Sequence, residues 1–521
     1  MENTKKVTVS IGEILYWLFF GSLLFAKGIG LYDGQAAFKL VLVFSCLCLM
    51  AKLAIEKYTV PEMIKIIAVI GLTGITYIVS GEKGLFLYGL MMVGMKYVDI
   101  KRLFAVGTII WTIAFCSLTI SSLFHLADTA FKVHDKLGMG HIFRWALGYS
   151  HPNVLHVSYI VLSMFFIYLI GEKFRIKHAI YLFAGNCLVF LYSVSYTGFL
   201  IFMCLIGGRI YLLLRKKPGK VEKLSIQMVF PCCVILSLIF PLVATGKIFD
   251  VVNKILNTRL ALAKYYLTPE FISLFGKRVS EITSYVLTMD NAYLFAFISY
   301  GIISFSVLCV ATEWLIYSYV KEEKYLELLI ILTIAIGGLT EPFLYNTSFK
   351  NLSFVFLGSL LFSKKGGRKE YNLFSFKWIS KLNKNISYNI CHLNAAKEKL
   401  IVVFKYSKMK LLMGLTGGFL AIIIGYALLS YPEGYIIRRV DCADISEEIH
   451  YYKGNGKFAN YRVMGNIADG EEVEFFDGNI VIMEKVRNLI IVSLTGFGVG
   501  YLAYGFLKDS KNKSDNANTG E

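Results

Sequence analysis

Charged residues are scarce in this sequence. Asp, Glu, Lys and Arg make up 17% of the 521 residues, and hydrophobic residues make up 56%. Soluble proteins typically contain about 25% charged residues, and the mean hydropathy here is +0.59. The apolar residues also occur in long runs rather than in alternation. These features exclude an ordinary soluble domain and indicate an integral membrane protein.

Signals of a secreted or metal-binding protein are also missing from the sequence. The first apolar run, 11–29, starts too far into the chain and lacks a small-residue cleavage site, so we interpret it as a retained span. Eight of the ten cysteines lie in predicted helices, Cys391 is predicted to be cytoplasmic, and Cys442 would be alone outside. No disulfide framework and no metal-ligand spacing is visible, and we expect no cofactor.

Long apolar runs recur along most of the chain. A helix needs about 20 mostly apolar residues to cross about 30 Å of hydrocarbon. The pattern predicts an all-α polytopic membrane protein with about 12–14 transmembrane helices. The candidate runs are 11–29, 36–55, 62–80, 84–97, 102–124, 153–171, 177–194, 197–214, 227–245, 292–312, 326–340, 349–362, 411–430 and 488–507.

The distribution of Lys and Arg between loops predicts the orientation. Cytoplasmic loops are rich in these residues close to the helix ends. The loops 52–62, 96–102, 171–177, 215–223, 321–324 and 363–410 follow this rule, whereas 30–35, 81–83, 195–196 and 341–348 carry almost none. We therefore expect a multi-pass protein of the cytoplasmic membrane with both termini in the cytoplasm.

The C-terminal part differs in composition from the rest. Most of the net charge of +18 comes from a basic stretch, which anionic lipid would attract; we expect membrane lipids and no nucleic acid as its partner. An acidic segment with a turn at Asp477 and Gly478 favours a β-hairpin. The predicted organisation is a membrane core at 1–362, the basic cytoplasmic stretch at 363–410, a helix at 411–430, a small β-rich extracytoplasmic insert at 431–487, a helix at 488–507 and a polar cytoplasmic tail at 508–521.

Two loops predicted to face outward break the charge pattern. Loops 125–152 and 246–291 hold several Lys and Arg residues on the side where the orientation signal disfavours them. An anionic ligand at the outer face would account for these charges. Arg suits that role because its planar fork binds phosphate oxygens in pairs.

Several short motifs in these regions resemble those of a known family. They are Arg144–Asn153, Ser195–Leu200, Asn257–Leu260, Phe275-Gly276, Asp290–Leu294, Tyr300-Gly301, Glu341 and Asn346. In this order and spacing, over roughly residues 100–362, the series resembles the O-antigen polymerase (Wzy) family and the related O-antigen ligases. The resemblance is strongest to the branch that serves surface polysaccharides of Gram-positive bacteria.

The resemblance implies a GT-C-like architecture and a glycosyltransferase reaction at the outer face of the membrane. Such polymerases join glycan repeat units carried on undecaprenyl pyrophosphate, as in capsule, exopolysaccharide or O-antigen-like polymers. A sugar hydroxyl of one unit attacks the anomeric carbon of another, and the lipid pyrophosphate leaves. A chain-length regulator and a flippase are the protein partners that it implies. The outer loops show no acidic cluster with metal spacing, so arginine would replace a metal at the pyrophosphate.

The candidate site residues divide into two groups. Arg259 is the leading pyrophosphate ligand, supported by Arg144 and Arg278, although each could instead contact lipid headgroups. His151, Asp290 and Glu341 are the candidate catalytic residues, and Asn291 and Tyr293 are candidate glycan contacts.

Each of the second group also has a structural alternative. His151 precedes Pro152 at a predicted helix start, and one of Asp290 and Asn291 would serve as a helix cap. Tyr293 could belong to an interfacial aromatic belt. Glu341 ends a helix, where the helix dipole does not stabilise a carboxylate.

Two other functions fit the same sequence. One is a ligase that moves finished glycan to another acceptor. The other is a transporter, or flippase, of polysaccharide or lipid-linked sugar. Transporters typically carry ionisable residues at mid-membrane, whereas the apolar runs here hold few beyond Lys39 and Glu313. The charge distribution therefore favours chemistry at the outer face.

Overall fold

The protein is described here by a computed structural model. It describes residues 6–123, 131–135, 141–215, 217–256, 258–278, 289–363, 370–372, 382–389, 408–428, 434–439, 449–453, 473–476 and 488–504. The chain divides into two compact units. The main unit comprises Val9–Ala130 and Ala146–Ile386, and the second unit comprises Met1–Thr8, Phe131–Trp145 and Ser387–Glu521.

The main unit is a bundle of helices. They are α1 (Ile11–Gly28), α2 (Ala36–Ile55), α3 (Val60–Ser80), α4 (Gly84–Val93), α5 (Ile100–Leu123), α6 (Pro152–Ile170), α7 (Ile176–Ser193), α8 (Tyr196–Leu214), α9 (Lys220–Leu238), α10 (Phe240–Val243), α11 (Gly246–Ile255), α12 (Arg259–Tyr266), α13 (Ala292–Lys321), α14 (Tyr325–Gly337) and α15 (Ser353–Leu361). Short 3-10 turns follow α6 and α14, at Gly171–Lys173 and Pro342–Leu344.

Nine helices in the described part of the chain are long and apolar enough to cross a membrane, and all nine belong to the main unit: α1, α2, α3, α5, α6, α7, α8, α9 and α13. Each of the fourteen predicted runs contains a helix. The expected all-α polytopic membrane architecture is therefore confirmed at this level.

Three of the predicted runs contain helices too short to span a bilayer. The helices α4, α14 and α15 have 10, 13 and 9 residues. Most of their residues are buried, among them Leu85, Ile330 and Val355. A backbone that ends inside protein can have its polar groups satisfied by neighbouring segments, which lipid cannot do. These helices therefore form the core of the bundle, and lipid contact falls to the longer helices around them.

A break in α13 admits a loop into the bundle. Gly301 has φ +77° inside this helix, a conformation that only Gly adopts readily. The amide N–H groups of Ile302 and Ile303 donate to the carbonyls of Ser273 and Leu274, at 2.9 and 3.1 Å. A Cβ at Gly301 would collide with the same loop. The loop after α12 thus supplies the acceptors that the break removes.

The connections of the main unit lie at two ends. One set of connections is joined by hydrogen bonds. These bonds link Tyr149 with Gly28, Asn153 with Glu341, and Asn291 with Leu339. Within the described residues, we call this set the site end, comprising connections 29–35, 81–83, 146–151, 194–195, 239–256, 258–278, 289–291 and 338–352. The opposite end comprises 56–59, 94–99, 171–175, 217–219, 322–324, 362–363, 370–372 and 382–386. Of the two basic loops that the sequence predicts to face outward, the site end holds 146–151, 246–256, 258–278 and 289–291.

Short strands join chain segments near the opposite end. Strand β2 (Lys57–Tyr58) pairs antiparallel with β5 (Tyr371–Asn372). Strands β1 (Lys6–Ser10) and β6 (Asn385–Asn389) form another two-stranded sheet. Part of the predicted basic stretch 363–410 is therefore ordered against the start of the chain.

The second unit contains two strand groups and two helices. Strands β3 (Phe131–Asp135) and β4 (His141–Trp145) form a hairpin in which Lys132 lies opposite Arg144. Strands β7 (Gly434–Arg439), β8 (Ile449–Lys453) and β9 (Val473–Phe476) form a sheet of order β8-β7-β9. Helices α16 (Lys408–Leu428) and α17 (Asn488–Tyr504) flank it in sequence. The predicted turn at Asp477 and Gly478 lies outside the described residues.

Glycines form the contact between α16 and α17. A Cβ at Gly417 would meet the backbone of Gly496, and one at Gly414 would lie 2.7 Å from the Phe497 ring. Small residues allow helix backbones in membranes to approach closely. This packing explains the glycine-rich composition of both segments.

Candidate functional site

Two of the predicted site residues form an ion pair at the site end. Arg259 is the first residue of α12, and Asp290 lies just before α13. The Nε and Nη2 atoms of Arg259 lie 3.0 and 2.8 Å from Oδ2 of Asp290. The side chains are 24% and 37% exposed. The arginine fork is therefore already engaged by a carboxylate, and the pair remains accessible from solvent.

Asn291 is the capping residue of α13. Its Oδ1 accepts from the amides of Tyr293 and Leu294, both at 2.9 Å. Its Nδ2 donates to Ser237 Oγ at 2.8 Å and to the Leu339 carbonyl at 3.2 Å. All the usual hydrogen-bonding positions of the side chain are thus occupied. Of the Asp290–Asn291 pair, Asn291 takes the cap role, which leaves the carboxylate of Asp290 for the ion pair.

Tyr293 is fully buried, and its hydroxyl donates to the Ala335 carbonyl at 2.7 Å. The side chain therefore packs between α13 and α14 and does not lie in an interfacial belt. A glycan contact by Tyr293 or Asn291 stays a prediction, and the geometry gives both residues a structural role.

Glu341 occupies a buried polar site. Its side chain is 5% exposed. Its Oε1 accepts from Asn153 Nδ2 at 2.9 Å and from Thr197 Oγ1 at 2.8 Å. Asn153 and Thr197 are the second residues of α6 and α8, so two helix N-termini approach this carboxylate and stabilise its negative charge. The expectation that Glu341 gains nothing from a helix dipole is wrong, because it considered only the helix that precedes Glu341.

His151 caps the helix that carries Asn153. Its Nδ1 accepts from the amide of Asn153 at 3.1 Å, and α6 begins at Pro152. The imidazole is thus next to the residue that binds Glu341. The cap interpretation is realised in the structure, while a role in deprotonating an acceptor hydroxyl stays a prediction.

The other two arginines are placed differently. Arg278 is exposed and lies against the turn between α3 and α4, where a Cβ at Gly81 would meet its guanidinium. Burial raises the pKa of the neighbouring Glu82, and Arg278 opposes that shift. Arg144 is buried and belongs to β4 of the second unit.

The Arg259–Asp290 pair and Glu341 are connected through one short segment. The amide of Ala292 donates to the Gly338 carbonyl at 2.8 Å, and Asn291 binds the next carbonyl, that of Leu339. Glu341 follows two residues later. The segment 338–341 thus holds three predicted site residues, Asp290, Asn291 and Glu341, in one neighbourhood.

Sequence reasoning missed two buried lysines at the site end. Lys350 is 3% exposed and Lys27 is 8% exposed. Lys350 Nζ lies 6.0 Å from the Trp111 ring and 5.9 Å from the Tyr149 ring. The signal was present in the sequence, since both lysines are at helix ends predicted to face outward. Each was overlooked because the adjoining loops were counted as nearly free of charge.

A buried histidine supports the start of α8. His156 is fully buried, with Nδ1 3.0 Å from Ser193 Oγ and Nε2 2.8 Å from Asn186 Oδ1. A Cβ at Gly198 would meet its ring. Its contacts are those of a satisfied core histidine, and they fix the turn that presents Thr197 to Glu341.

Comparison with known proteins gives no relative: no protein-family model, no curated protein and no solved structure matches this chain. The resemblance to the O-antigen polymerase family therefore stays a prediction from the sequence motifs.

Proposed function

We propose that this chain is a membrane glycosyltransferase that polymerises glycan repeat units carried on undecaprenyl pyrophosphate. The observation that carries the proposal is the buried carboxylate of Glu341, held by Asn153 and Thr197 at the end of the bundle predicted to face outward. The motif resemblance supplies the substrate class. In this proposal the architecture is GT-C-like, the product is a capsule-like or exopolysaccharide polymer, and the β-rich segment 431–487 is extracytoplasmic.

The site geometry supports a division of roles among its residues. Glu341 accepts the proton of the attacking sugar hydroxyl, and its two donors fix the orientation of the carboxylate. A general base must lie within hydrogen-bonding distance of the proton that it removes, and a fixed carboxylate meets that need. Asp290, held by Arg259, accepts hydroxyls of the sugar. His151 maintains the start of α6 and so positions Asn153.

Purified protein and a gene deletion together test the proposal. Protein supplied only with single lipid-linked repeat units, in the presence of EDTA, should build a ladder of longer products. Deletion of the gene should leave single-unit glycolipid in the outer leaflet and no long chains.

Other outcomes would identify a different protein. Single units trapped in the inner leaflet would make the protein a flippase and overturn the proposal. Transfer of finished polymer to a second acceptor, without any ladder, would make it a ligase. A ladder that EDTA abolishes would leave the polymerase standing and refute its independence from metal.

A further inference from the structure

Lys350 is a buried amine whose Nζ has no hydrogen-bond acceptor among the described residues. No described residue forms a hydrogen bond or ion pair with its Nζ, although the residue is only 3% exposed. Nζ is nevertheless not fully enclosed by protein atoms, so it borders space that solvent can enter. Lys350 lies in the connection before α15, outside the spanning helices.

Lys27 repeats this arrangement next to Lys350. It lies in the last turn of α1, and its Nζ is 3.8 Å from the centroid of the Phe38 ring. Like that of Lys350, its Nζ forms no hydrogen bond or ion pair with any residue in the described part of the chain. Lys27 acts electrostatically on Lys350, and Glu341 acts on Lys350 with the opposite sign. The charged groups that act on Lys27 are Asp33 and Lys83.

Hydrogen bonds hold the aromatic side chains around Lys350 in place. The Trp111 indole donates to the Ser158 carbonyl at 2.8 Å, and the Tyr149 hydroxyl donates to the Gly28 carbonyl at 3.0 Å. Both rings are buried, and they hold the end of α1 against α5 and α6. Lys350 therefore lies between fixed aromatic walls, with Glu341 on the same connection.

The Nζ atoms of these two buried lysines have no hydrogen-bonded counterion among the described residues. A buried charge without a partner is costly, so the group either loses its proton or receives a counterion. Burial, and after it the charge of Lys27, lower the pKa of the Lys350 ammonium to about 7, although Glu341 acts in the opposite direction. An oxyanion would supply the missing counterion and restore the charged form.

Arg259 offers a weaker site for such an anion. Its Nε and Nη2 already bind Asp290, so a phosphate at the fork would have to displace a carboxylate. We propose that Lys350 and Lys27, rather than Arg259, form the subsite for the pyrophosphate oxyanion of the lipid-linked substrate. This assignment rests on the proposed function. It places the leaving group beside the carboxylate that takes the acceptor proton.

Pyrophosphate binding tests the subsite without requiring catalysis. The probes are inorganic pyrophosphate and a short polyprenyl pyrophosphate that carries no sugar, measured by calorimetry on full-length protein in phosphatidylcholine nanodiscs. Lys350→Met should weaken binding of both by about tenfold or more, since it removes a charge-assisted partner. Lys350→Arg should retain part of the affinity. The matched control is Lys65→Met near the opposite end, where Lys65 Nζ donates to the Leu361 carbonyl at 2.8 Å.

Three results would overturn the subsite. Wild-type affinity in folded Lys350→Met protein would make Lys350 a neutral packing residue. A larger loss in Arg259→Met than in Lys350→Met would return the role to Arg259. Competition by added phosphatidylglycerol that disappears in Lys350→Met would assign the subsite to a lipid headgroup.

The subsite and the proposed function fail separately. A product ladder from wild-type protein that binds neither probe would refute the subsite and leave the polymerase standing. Binding that depends on Lys350, from protein that makes no ladder, would refute the polymerase and leave the anion subsite.

Discussion

The two ends of the main unit hold their buried charges in opposite ways. At the opposite end, Lys96 Nζ lies 2.7 Å from Glu62, 3.1 Å from Glu370 and 2.7 Å from the Lys57 carbonyl. Lys52 donates to the Lys96 carbonyl at 2.8 Å. Both of these buried ammonium groups have an acceptor, whereas Oε1 of the buried Glu56 at this end has no hydrogen-bond donor among the described residues.

At the site end the described charges are less completely paired. The Nζ atoms of Lys350 and Lys27 face aromatic rings and have no hydrogen-bond acceptor among the described residues. A paired network contributes to the fold, whereas a buried charge without a partner persists where a ligand provides one. The difference between the ends therefore separates charges that hold the bundle together from charges that are available for function.

The largest expected effect is on the free energy of unfolding, when a buried lysine is replaced by Met at each end. Lys96→Met leaves Glu62 buried without its cation, and breaking such a pair costs about 3–5 kcal/mol. Lys350→Met removes an unpaired buried amine and should leave the free energy of unfolding unchanged or raise it. Thermal unfolding of the two variants in detergent measures this. Equal destabilisation by both substitutions would refute the contrast between the ends.

A smaller effect distinguishes the role of Arg259 from that of Lys350. Arg259→Lys keeps the charge but loses the fork that holds Asp290, so polymer should fall about tenfold. Pyrophosphate affinity should remain close to that of the wild type, because Lys350 is unchanged. Arg278→Lys, at an exposed position, should lose less polymer. Full polymer from Arg259→Lys would reduce the ion pair to a surface contact.

The sequence predicts the long helices well because their apolar runs record lipid contact directly. The run 102–124 corresponds to α5 at Ile100–Leu123, for example. The sequence does not predict the ends of the short helices α4 and α15, because a helix buried in protein needs apolar residues but not the length of a bilayer. Their runs were therefore extended beyond the observed ends.

The candidate site was predictable only in its individual residues. The Asp290–Asn291 pair was correctly expected to supply one helix cap. The partner of Asp290 could not be read from the sequence, because Arg259 lies 31 positions away. The setting of Glu341 depends on Asn153 and Thr197, which reach it only when α6 and α8 begin at the same end of the bundle.

The smallest expected effect is a dependence of anion binding on pH. Because the pKa of the Lys350 ammonium is lowered to about 7 by burial, its charge is present below that pH and lost above it. Pyrophosphate affinity should therefore fall as pH rises through and beyond 7, and a bound anion moves the midpoint upward. The charged groups acting on Lys350 are Lys27 of α1 and Glu341, beside the rings of Trp111 and Tyr149. Calorimetry from pH 6 to 9 on wild type and Lys350→Met measures the fall in pyrophosphate affinity that Lys350 causes. The variant should lack this contribution.

The most direct measurement is product formation by Glu341→Gln protein. This substitution keeps the size of the side chain and its ability to accept from Asn153 and Thr197, but removes the base. With purified protein and single lipid-linked units, the rate should fall by about 10²–10⁴-fold, while pyrophosphate binding persists. Glu327→Gln is the matched control, because Glu327 accepts from the Tyr168 hydroxyl near the opposite end, and it should build the normal ladder. A normal ladder from Glu341→Gln, or equal losses in the two variants, would contradict the assignment of the chemistry to the site end.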